Sequence, residues 1–374
     1  MAITDGLAPT EEQRDLARTL RDFLDDHLPS GALRAAMETE AGHDRPLWNR
    51  LAGELGLAGL TIAEEYGGLG LGPAEAALVH EELGRALYPG PFLATSLATA
   101  ALLASGDDAA QRRYLPRIAA GECVAVLAAA DRRGTWDVTG HSVRARTAGA
   151  GWRLTGARGF VLAGHVADVL LVPAAGPAGP ALFLVEAGAP GLTARAVPGL
   201  DLTRRTATVA FEDTPAVMVG AEDGLDTILR AADRTRQLAT AAEAAGGIGW
   251  CLDRSVEHAK NREQFGRPIG SFQAVAHQAV DMLAHRESAR AAVRYAAVAT
   301  AENDPEAPMA TRVAVLRTGE AYRTTTEAAI HLFGGTGFTW EHDAHLYYRR
   351  AWSGRELAGS ARDHREAIAG LAGL

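Results

Sequence analysis

Residues 261–277, NREQFGRPIGSFQAVAH, hold the densest chemistry in this chain. Arg262 supplies a permanent cation, Gln264 an amide, Phe265 an aromatic face and Gly266 a position without a Cβ. A guanidinium grips phosphate oxygens in pairs and a flat ring stacks on an aromatic, so the group suits a phosphate and a planar ring system. The plainer reading of Arg262 is a solvated cation beside a core Phe. A second candidate is Glu243, set in Ala241-Ala242-Glu243-Ala244-Ala245-Gly246-Gly247. Among Ala and Gly a carboxylate loses hydration and its pKa rises, which suits a general base. The alternative is a structural Glu paired with an Arg or capped by a backbone group. His342 and His345, beside Glu341 and Asp343, have the donor atoms of a metal site. A polar surface patch after a loop explains them more simply, and no metal is assigned.

Other chemistries are excluded by what the chain lacks. There is no Gly-x-Ser-x-Gly elbow, which argues against an α/β-hydrolase, and no His-Glu-x-x-His pair. The glycine runs at Gly67 and Gly246 do not follow a strand and open a βαβ unit, so a Rossmann reading fails. Cys123 and Cys251 make no disulfide framework and lack metal-ligand spacing. Lys+Arg number 37 against 46 Asp+Glu, a net charge of −9, which argues against nucleic-acid binding. No stretch reaches about 18 uninterrupted apolar residues, so no membrane span is expected. The opening MAITDGLAPTEEQ has neither a basic n-region nor an apolar h-region. The expected compartment is therefore the cytoplasm.

Three segments must position these residues. At 374 residues, with 47% apolar and 22% charged, the chain suits a soluble globular protein of two or three packed units. Residues 1–122 read as helical. Thr10-Glu11-Glu12-Gln13 is a capping box, and Leu16, Leu20, Phe23 and Leu24 share one face of the helix after it. Pro29-Ser30-Gly31 breaks the pattern, a second helix holds Trp48, Leu51 and Leu55, and Glu64 to Pro73 is a glycine-rich loop. Helices follow over Ala74 to Leu87 and Leu93 to Leu103, with a short turn over Tyr114 to Ile118. Residues 123–221 read as a small all-β domain with strands at Val124–Ala128, Ser142–Arg146, Val169–Val172, Leu182–Val185 and Thr206–Phe211. Pro173 to Pro180 is expected to be a loop. Residues 222–374 read as long antiparallel helices, over Leu225–Lys260, Phe272 to about Glu302 and Met309–Phe333, with a last helix in the final thirty residues.

The string 261–277 closely resembles the C-terminal bundle signature of the acyl-CoA dehydrogenase family. Residues 330–343, IHLFGGTGFTWEHD, resemble that family's glycine loop near the flavin. Glu64-Glu65-Tyr66-Gly67-Gly68 resembles its N-domain loop, with Ala63 where a proline is usual. Asp201-Leu202-Thr203-Arg204-Arg205 looks like a β-domain string common in actinobacterial members. The resemblance extends over nearly the whole chain. It implies an α+β multidomain fold with a helical N-domain, a middle β-barrel and a C-terminal four-helix bundle. It also implies FAD at a subunit interface, an acyl-CoA or other acyl thioester as substrate, and an oligomer with itself or with an acyl-CoA dehydrogenase-like subunit. By that match Arg262, Gln264, Phe265, His331, Gly334 and Gly335 face a neighbour's FAD, while Phe160 and Val161 wall this chain's own. Glycine brings backbone close to phosphates where a side chain would collide. The implied reaction moves a hydride from the β-carbon to the flavin and a proton from the α-carbon to a carboxylate within hydrogen-bond reach. Hydrogen bonds to the thioester carbonyl stabilise the enolate-like charge.

The match departs from the family at telling places. Glutamate is missing from both positions where the family commonly keeps its base: one matches Ala358, the other Thr235 or Arg236. Glu356 is two positions from the first. Glu243 lies about two helical turns beyond the second, on roughly the same face, and is the catalytic candidate. Ala129 to Trp136 stands where the family has Thr-Glu-Pro and then Gly-Ser-Asp, so Ala129 replaces the flavin-bonding Thr. Leu162 replaces a Thr or Ser, and His331 a Gln. Residues offered to a neighbour's FAD are better kept than those holding the chain's own. Some actinobacterial members assemble as α2β2 with fewer flavins than chains, and this chain resembles the supporting subunit. The alternatives are a self-sufficient homo-oligomeric acyl-CoA dehydrogenase using Glu243, and a flavin-free scaffold or thioester-binding protein.

Overall fold

The computed structural model describes residues 7–136, 139–149, 151–221 and 223–374. The first six residues of the opening segment, and Glu222 where the third segment was taken to start, lie outside the described residues. The helices of the first part are α1 (Glu11–His27), α2 (Ser30–Glu38), α3 (Arg45–Asn49), α4 (Pro73–Arg85), α5 (Phe92–Ala104) and α6 (Asp108–Ala119). Strands β1 (Ala125–Leu127), β2 (Val143–Ala148), β3 (Gly151–Leu162), β4 (Val169–Gly176), β5 (Gly179–Glu186), β6 (Leu192–Val197) and β7 (Thr206–Val219) follow. The last part holds α7 (Leu225–Asn261), the two-residue strands β8 (Glu263–Gln264) and β9 (Arg267–Pro268), then α8 (Gln273–Ala301), α9 (Ala307–Phe333), α10 (Ala344–Ala358) and α11 (Ala361–Leu371). These elements form two compact units. One draws on Met1–Ala35, Gly72–Tyr88 and Gln237–Leu374, the other on Ala36–Leu71 and Pro89–Arg236.

The first unit is a helical bundle. The capping box forms as expected: the Thr10 hydroxyl accepts from the Gln13 N–H at 3.2 Å, and the Gln13 amide oxygen from the Thr10 N–H at 3.0 Å. It starts α1, whose Leu20 and Leu24 are buried. Helices α8 and α9 pack along each other, with α10 and α11 against α9. The buried positions of α9 include Ala310, Ala314, Thr318, Ala321 and Thr325, small side chains that let neighbouring helices come close. Closer still is the crossing of α4 and α7. A Cβ on Gly246 would stand 1.8 Å from the Glu81 carbonyl oxygen, and one on Gly84 would stand 2.2 Å from the Glu243 carbonyl oxygen. Only glycine permits such a contact. Around it, Glu82 accepts from Arg21 and Arg85, and Glu81 from Arg290 at 2.6 Å, so the buried carboxylates of α4 are paired.

The second unit is a closed barrel. Its ring runs β2–β3–β7–β5–β4, and β4 returns to β2 through the Arg144↔Ala175 pairing. Strand β7 is long enough to carry β6 along its first half and β5 along its end. Strand β1 lies parallel to β4. Inside, Arg158 is fully buried and donates to the carbonyls of Ala129 and Pro173. Helix α6 starts at Asp107, whose carboxylate accepts from the Ala110 N–H at 2.9 Å.

Several expected elements differ. Residues 173–180 are not a loop: the β4–β5 ladder continues to Gly176↔Gly179, leaving a turn of only Pro177 and Ala178. Strand β3 was hidden by Gly151, Gly156 and Gly159, which read as loop residues. There the glycines serve close approach: a Cβ on Gly156 would stand 2.3 Å from the Ser142 oxygen, and one on Gly159 would stand 2.9 Å from the Asp131 oxygen. Strand β6 has too few apolar residues to announce itself. The turn at Tyr114–Ile118 is part of a full helix, α6, and the Trp48 segment runs from α3 into a π-helical turn, Arg50–Glu54. Pro73 opens α4 instead of closing a loop, and the last thirty residues hold two helices.

Candidate functional site

In the bundle unit, α7 ends one turn after His258, whose carbonyl accepts from the Arg262 N–H at 2.8 Å. The chain then turns back on itself. Glu263 pairs with Pro268 and Gln264 with Arg267. The two residues between, Phe265 and Gly266, have φ of +54° and +75°. A two-residue hairpin turn with both central residues left-handed matches the twist of its strands, but an aromatic residue in that conformation costs of order 1 kcal/mol. The strained position holds Phe265 out at 93% exposure. Arg262 and Gln264 are exposed beside it, with the Gln264 amide donating to the Glu263 carbonyl at 2.8 Å. Arg267 lies over the Phe272 ring at 4.1 Å, which fixes the hairpin base.

The glycine loop starts where α9 ends. Gly334 has φ +61° and ψ −141°, a conformation that side chains disfavour. A Cβ built on Gly334 or Gly335 would meet nothing within 4 Å among the described residues. No neighbour among the described residues requires Gly335 to lack a side chain, whereas Gly334 answers to its own left-handed backbone, and both leave bare backbone at the surface. Gly337 differs: its Cβ would stand 2.9 Å from the Ile330 carbonyl, so it is needed for the fold of the loop. His331 is exposed, and so are Phe338 (76%) and Trp340 (55%). Phe333 joins the two segments, its ring 4.9 Å from His258 and 4.1 Å from His342. Arg262, Gln264, Phe265, Gly334 and Gly335 thus belong to two segments held against one another.

Glu243 lies elsewhere in the same unit, at the α4–α7 crossing. It is buried, with Oε2 3.5 Å from Nη1 of Arg350 and Oε1 3.5 Å from Nδ1 of His80. The space beside its glycine neighbours is filled: α4 backbone meets Gly246, and a Cβ on Gly247 would stand 2.3 Å from the Tyr322 hydroxyl. Of the positions matching the family bases, Ala358 ends α10 and its carbonyl meets the His364 ring at 2.9 Å. In the barrel unit, the Thr235 hydroxyl bonds back to the Ala231 carbonyl at 3.2 Å. Arg236 is buried, its Nε 2.9 Å from Asp233 and its guanidinium 4.8 Å from the Trp136 ring centre. Glu356 is exposed.

Phe160 and Val161 sit at a bulge of β3, between Arg158 and Val161. Phe160 has φ +49° and is half exposed, while Val161 is buried under Gly164. Ala129 is buried, and its carbonyl is engaged by Arg158. The carboxylate of Asp131 accepts from the N–H groups of Arg133 at 2.8 Å and Thr135 at 3.0 Å, closing the following turn on itself.

Three histidines near the glycine loop are shifted in one direction for a shared reason. Burial leads in lowering His258, His342 and His345, with Arg262 adding to it at His258 and Arg349 at His345, which falls to about 4. Among the described residues no group of three or more His, Cys, Asp or Glu side chains converges as a metal site. The aromatic residues Phe338 and Trp340 and the Glu243 partners His80 and Arg350 escaped sequence reasoning. Two exposed aromatics directly after a glycine run were the available signal for the first pair. The second pair is separated from Glu243 by more than a hundred residues in each direction, and no local pattern joins them.

These features test the fit of FAD. On the bundle unit, a cation, an exposed aromatic and bare loop backbone are the donor set for a pyrophosphate and a flat ring. On the barrel unit, the flavin-side positions Ala129 and Leu162 have no side-chain donor.

Comparison with known proteins points one way. A model of the acyl-CoA dehydrogenase N-terminal domain matches residues 10–122, and one of the acyl-CoA dehydrogenase C-terminal domain matches residues 222–371. The acyl-CoA dehydrogenase IpdE2 of Mycolicibacterium smegmatis is 35% identical over 95% of this chain and 96% of its own length. Among solved structures, a variant of the Tcur3481-Tcur3483 steroid acyl-CoA dehydrogenase has TM-score 0.85 at 32% identity, covering 97% of this chain and 98% of that one. The ChsE4-ChsE5 complex from Mycobacterium tuberculosis has TM-score 0.87 at 29% identity, covering 98% of each chain.

Proposed function

We propose a function from one premise: the chain belongs to the acyl-CoA dehydrogenase family, whose members are FAD-dependent oxidoreductases. The chain takes part in α,β-dehydrogenation of an acyl-CoA or related thioester as the supporting subunit of a heteromeric enzyme. Its Arg262 hairpin and glycine loop complete an FAD site on another chain. The observation that carries this reading is the contrast between two surfaces. Arg262, Phe265, Gly334 and Gly335 present cation, ring and bare backbone outward, and no neighbour among the described residues requires Gly335 to lack a side chain. The positions that would supply this chain's own base hold Thr235, Arg236 and Ala358, and Ala129 replaces a hydroxyl donor. Two of the solved neighbours, Tcur3481-Tcur3483 and ChsE4-ChsE5, are named as pairs of different chains. Among the described residues no helix is long and apolar enough to cross a membrane, and a cytoplasmic setting is part of the proposal.

Bound FAD would supply the acceptor for a hydride leaving the β-carbon. Arg262 would hold the pyrophosphate charge, and the N–H groups of the glycine loop would add further donors. Phe265 would cover a flat ring. The α-proton needs a carboxylate, and a partner supplies it in this reading.

The test is expression with and without a candidate partner subunit, read as flavin content and native mass. The chain alone is expected to carry little flavin, and the pair to carry FAD. A chain that binds stoichiometric FAD alone and turns over an acyl-CoA contradicts the supporting role. Arg262→Ala should lower FAD affinity by about 10- to 150-fold, the effect of a charged contact of about 1.5–3 kcal/mol. Unchanged occupancy at limiting FAD removes Arg262 from the site.

One observation favours a second reading, in which a homo-oligomer uses Glu243 as base. Glu243 is a buried carboxylate with an imidazole, His80, 3.5 Å away to receive its proton. Glu243→Gln should then cut turnover about 10²- to 10⁴-fold with FAD retained.

A further inference from the structure

The Arg262 hairpin and the glycine loop are more than seventy residues apart in sequence, yet a cofactor spanning both needs them at one spacing. A run of rings joins them. His258 lies on α7 one turn before Arg262, the residue after the helix ends, and its carbonyl accepts from the Arg262 N–H at 2.8 Å. Its ring is 4.9 Å from Phe333, the residue directly before Gly334. Phe333 is 4.1 Å from His342, which lies just past the loop. The Nδ1 of His342 accepts from the Ala344 N–H at 3.1 Å, so the ring is fixed in orientation and presents a lone pair there. Behind it Trp250 meets His342 edge-on at 6.5 Å and stacks flat on Tyr347 at 3.9 Å. The Tyr347 hydroxyl donates to the Arg85 carbonyl at 2.5 Å, which anchors the run in the bundle core.

We propose that His258, Phe333 and His342 are positioning residues that couple the Arg262 hairpin to the glycine loop and set the spacing at which the two meet a cofactor. The rings act through their neighbours: Phe333 fixes the start of the loop, His342 its end, and His258 the helix turn that aims Arg262. The cofactor part rests on the proposed FAD surface, whereas the coupling of the two segments does not. A ring pair of this kind is about a 2- to 10-fold effect on an equilibrium. Removing the Phe333 ring breaks both of its pairings at once, a change of roughly tenfold or more.

The test has two arms. Amide hydrogen exchange is measured on the full chain without FAD, for Phe333→Ala and for His342→Leu beside His342→Phe. Phe333→Ala should speed exchange about tenfold in both 262–268 and 334–338, and leave the barrel strands unchanged. His342→Phe, which keeps a flat ring, should protect the loop better than His342→Leu. Faster exchange in the loop alone, with the hairpin as in the parent, overturns the coupling. So does a His342→Leu variant indistinguishable from His342→Phe. The second arm measures FAD affinity of the chain with its co-expressed partner in a cycle of His258→Ala and Arg262→Ala. If His258 works through Arg262, the double variant loses less than the product of the two single losses. Losses that multiply overturn the positioning role of His258. Coupled exchange with FAD affinity unmoved by Arg262→Ala would leave the ring run standing and remove the FAD surface instead.

Discussion

At the residue scale, His345 shows how burial turns one side chain into an acid-sensitive point. Both its ring nitrogens are buried without a hydrogen-bond partner among the described residues, and the ring packs edge-on against Trp340 at 4.7 Å. Burial, then the nearby Arg349 and Arg34, lowers it from 6.5 to about 4. Between those values the unfolded chain binds the proton and the folded chain does not, so stability falls as the pH drops through the window. His345→Phe should therefore flatten the decline of Tm between about pH 7 and 4.5, measured by calorimetry. A parallel decline in both proteins would show that other groups carry it. Glu243 gives a second residue-scale outcome. Glu243→Leu leaves Arg350 buried without its carboxylate and should destabilise the fold by about 3–5 kcal/mol, read from denaturant unfolding. A loss under about 1 kcal/mol would show that the pair does not support the bundle. The sequence made Glu243 conspicuous because it is a charge among alanines. It did not disclose Arg350 and His80, because side chains from three separate helices meet only in the folded unit.

At the element scale, two glycine pairs make opposite demands. Gly246 holds α4 and α7 in backbone contact, whereas Gly335 faces open space. Gly246→Ala should prevent the crossing and destabilise the chain by several kcal/mol, or leave it insoluble. Gly335→Ala should leave Tm within about a degree and lower FAD occupancy of the assembled protein. The reverse pattern in a paired unfolding and flavin assay would contradict this division. The sequence shows glycines in both places and cannot tell a helix-crossing glycine from one facing open space, since the difference lies in what stands opposite. The long helices were readable because their apolar period and the Asp304–Pro308 break are local signals. Strand β3 was not, because its glycines answer to β2 and to the backbone at Asp131, partners outside any short window. The left-handed turn at Phe265-Gly266 was equally silent, as an aromatic is the last residue a turn preference would select there.

At the scale of the whole molecule, the bundle unit leaves apolar side chains uncovered. Val280, Leu283 and Val313 are exposed, and Leu252, Val256, Ala279, Val280 and Leu283 line a groove of about 500 Å³ between α7 and α8. Asp253, Glu257, Lys260, Asn261 and Arg286 line the same groove, and in the proposed assembly this mixed surface is the one another chain covers. In the proposed assembly Val280→Glu with Leu283→Glu should lower the native mass in sedimentation at micromolar concentration, with the helical signal intact. A double variant of unchanged mass would place the interface elsewhere. The acyl chain remained illegible throughout, because alanine-rich helices specify no pocket shape.

The division of the chain into units also has a consequence for how it is made. The bundle unit is begun by α1 and α4 but cannot close until Gln237 and the residues after it exist, with about 150 residues of the other unit in between. At about 5–20 residues per second, the ribosome takes about 7–30 s to cover that stretch. For that time the buried face of α1, with Leu20 and Leu24, and the buried charges Glu81 and Glu82 of α4 have no completed core to enter. The barrel emerges whole in the interval. Biosynthesis therefore releases the middle of the molecule as a finished object while its first helices still wait, and the nascent chain passes through a stage in which a chaperone has more to hold at its beginning than at its centre.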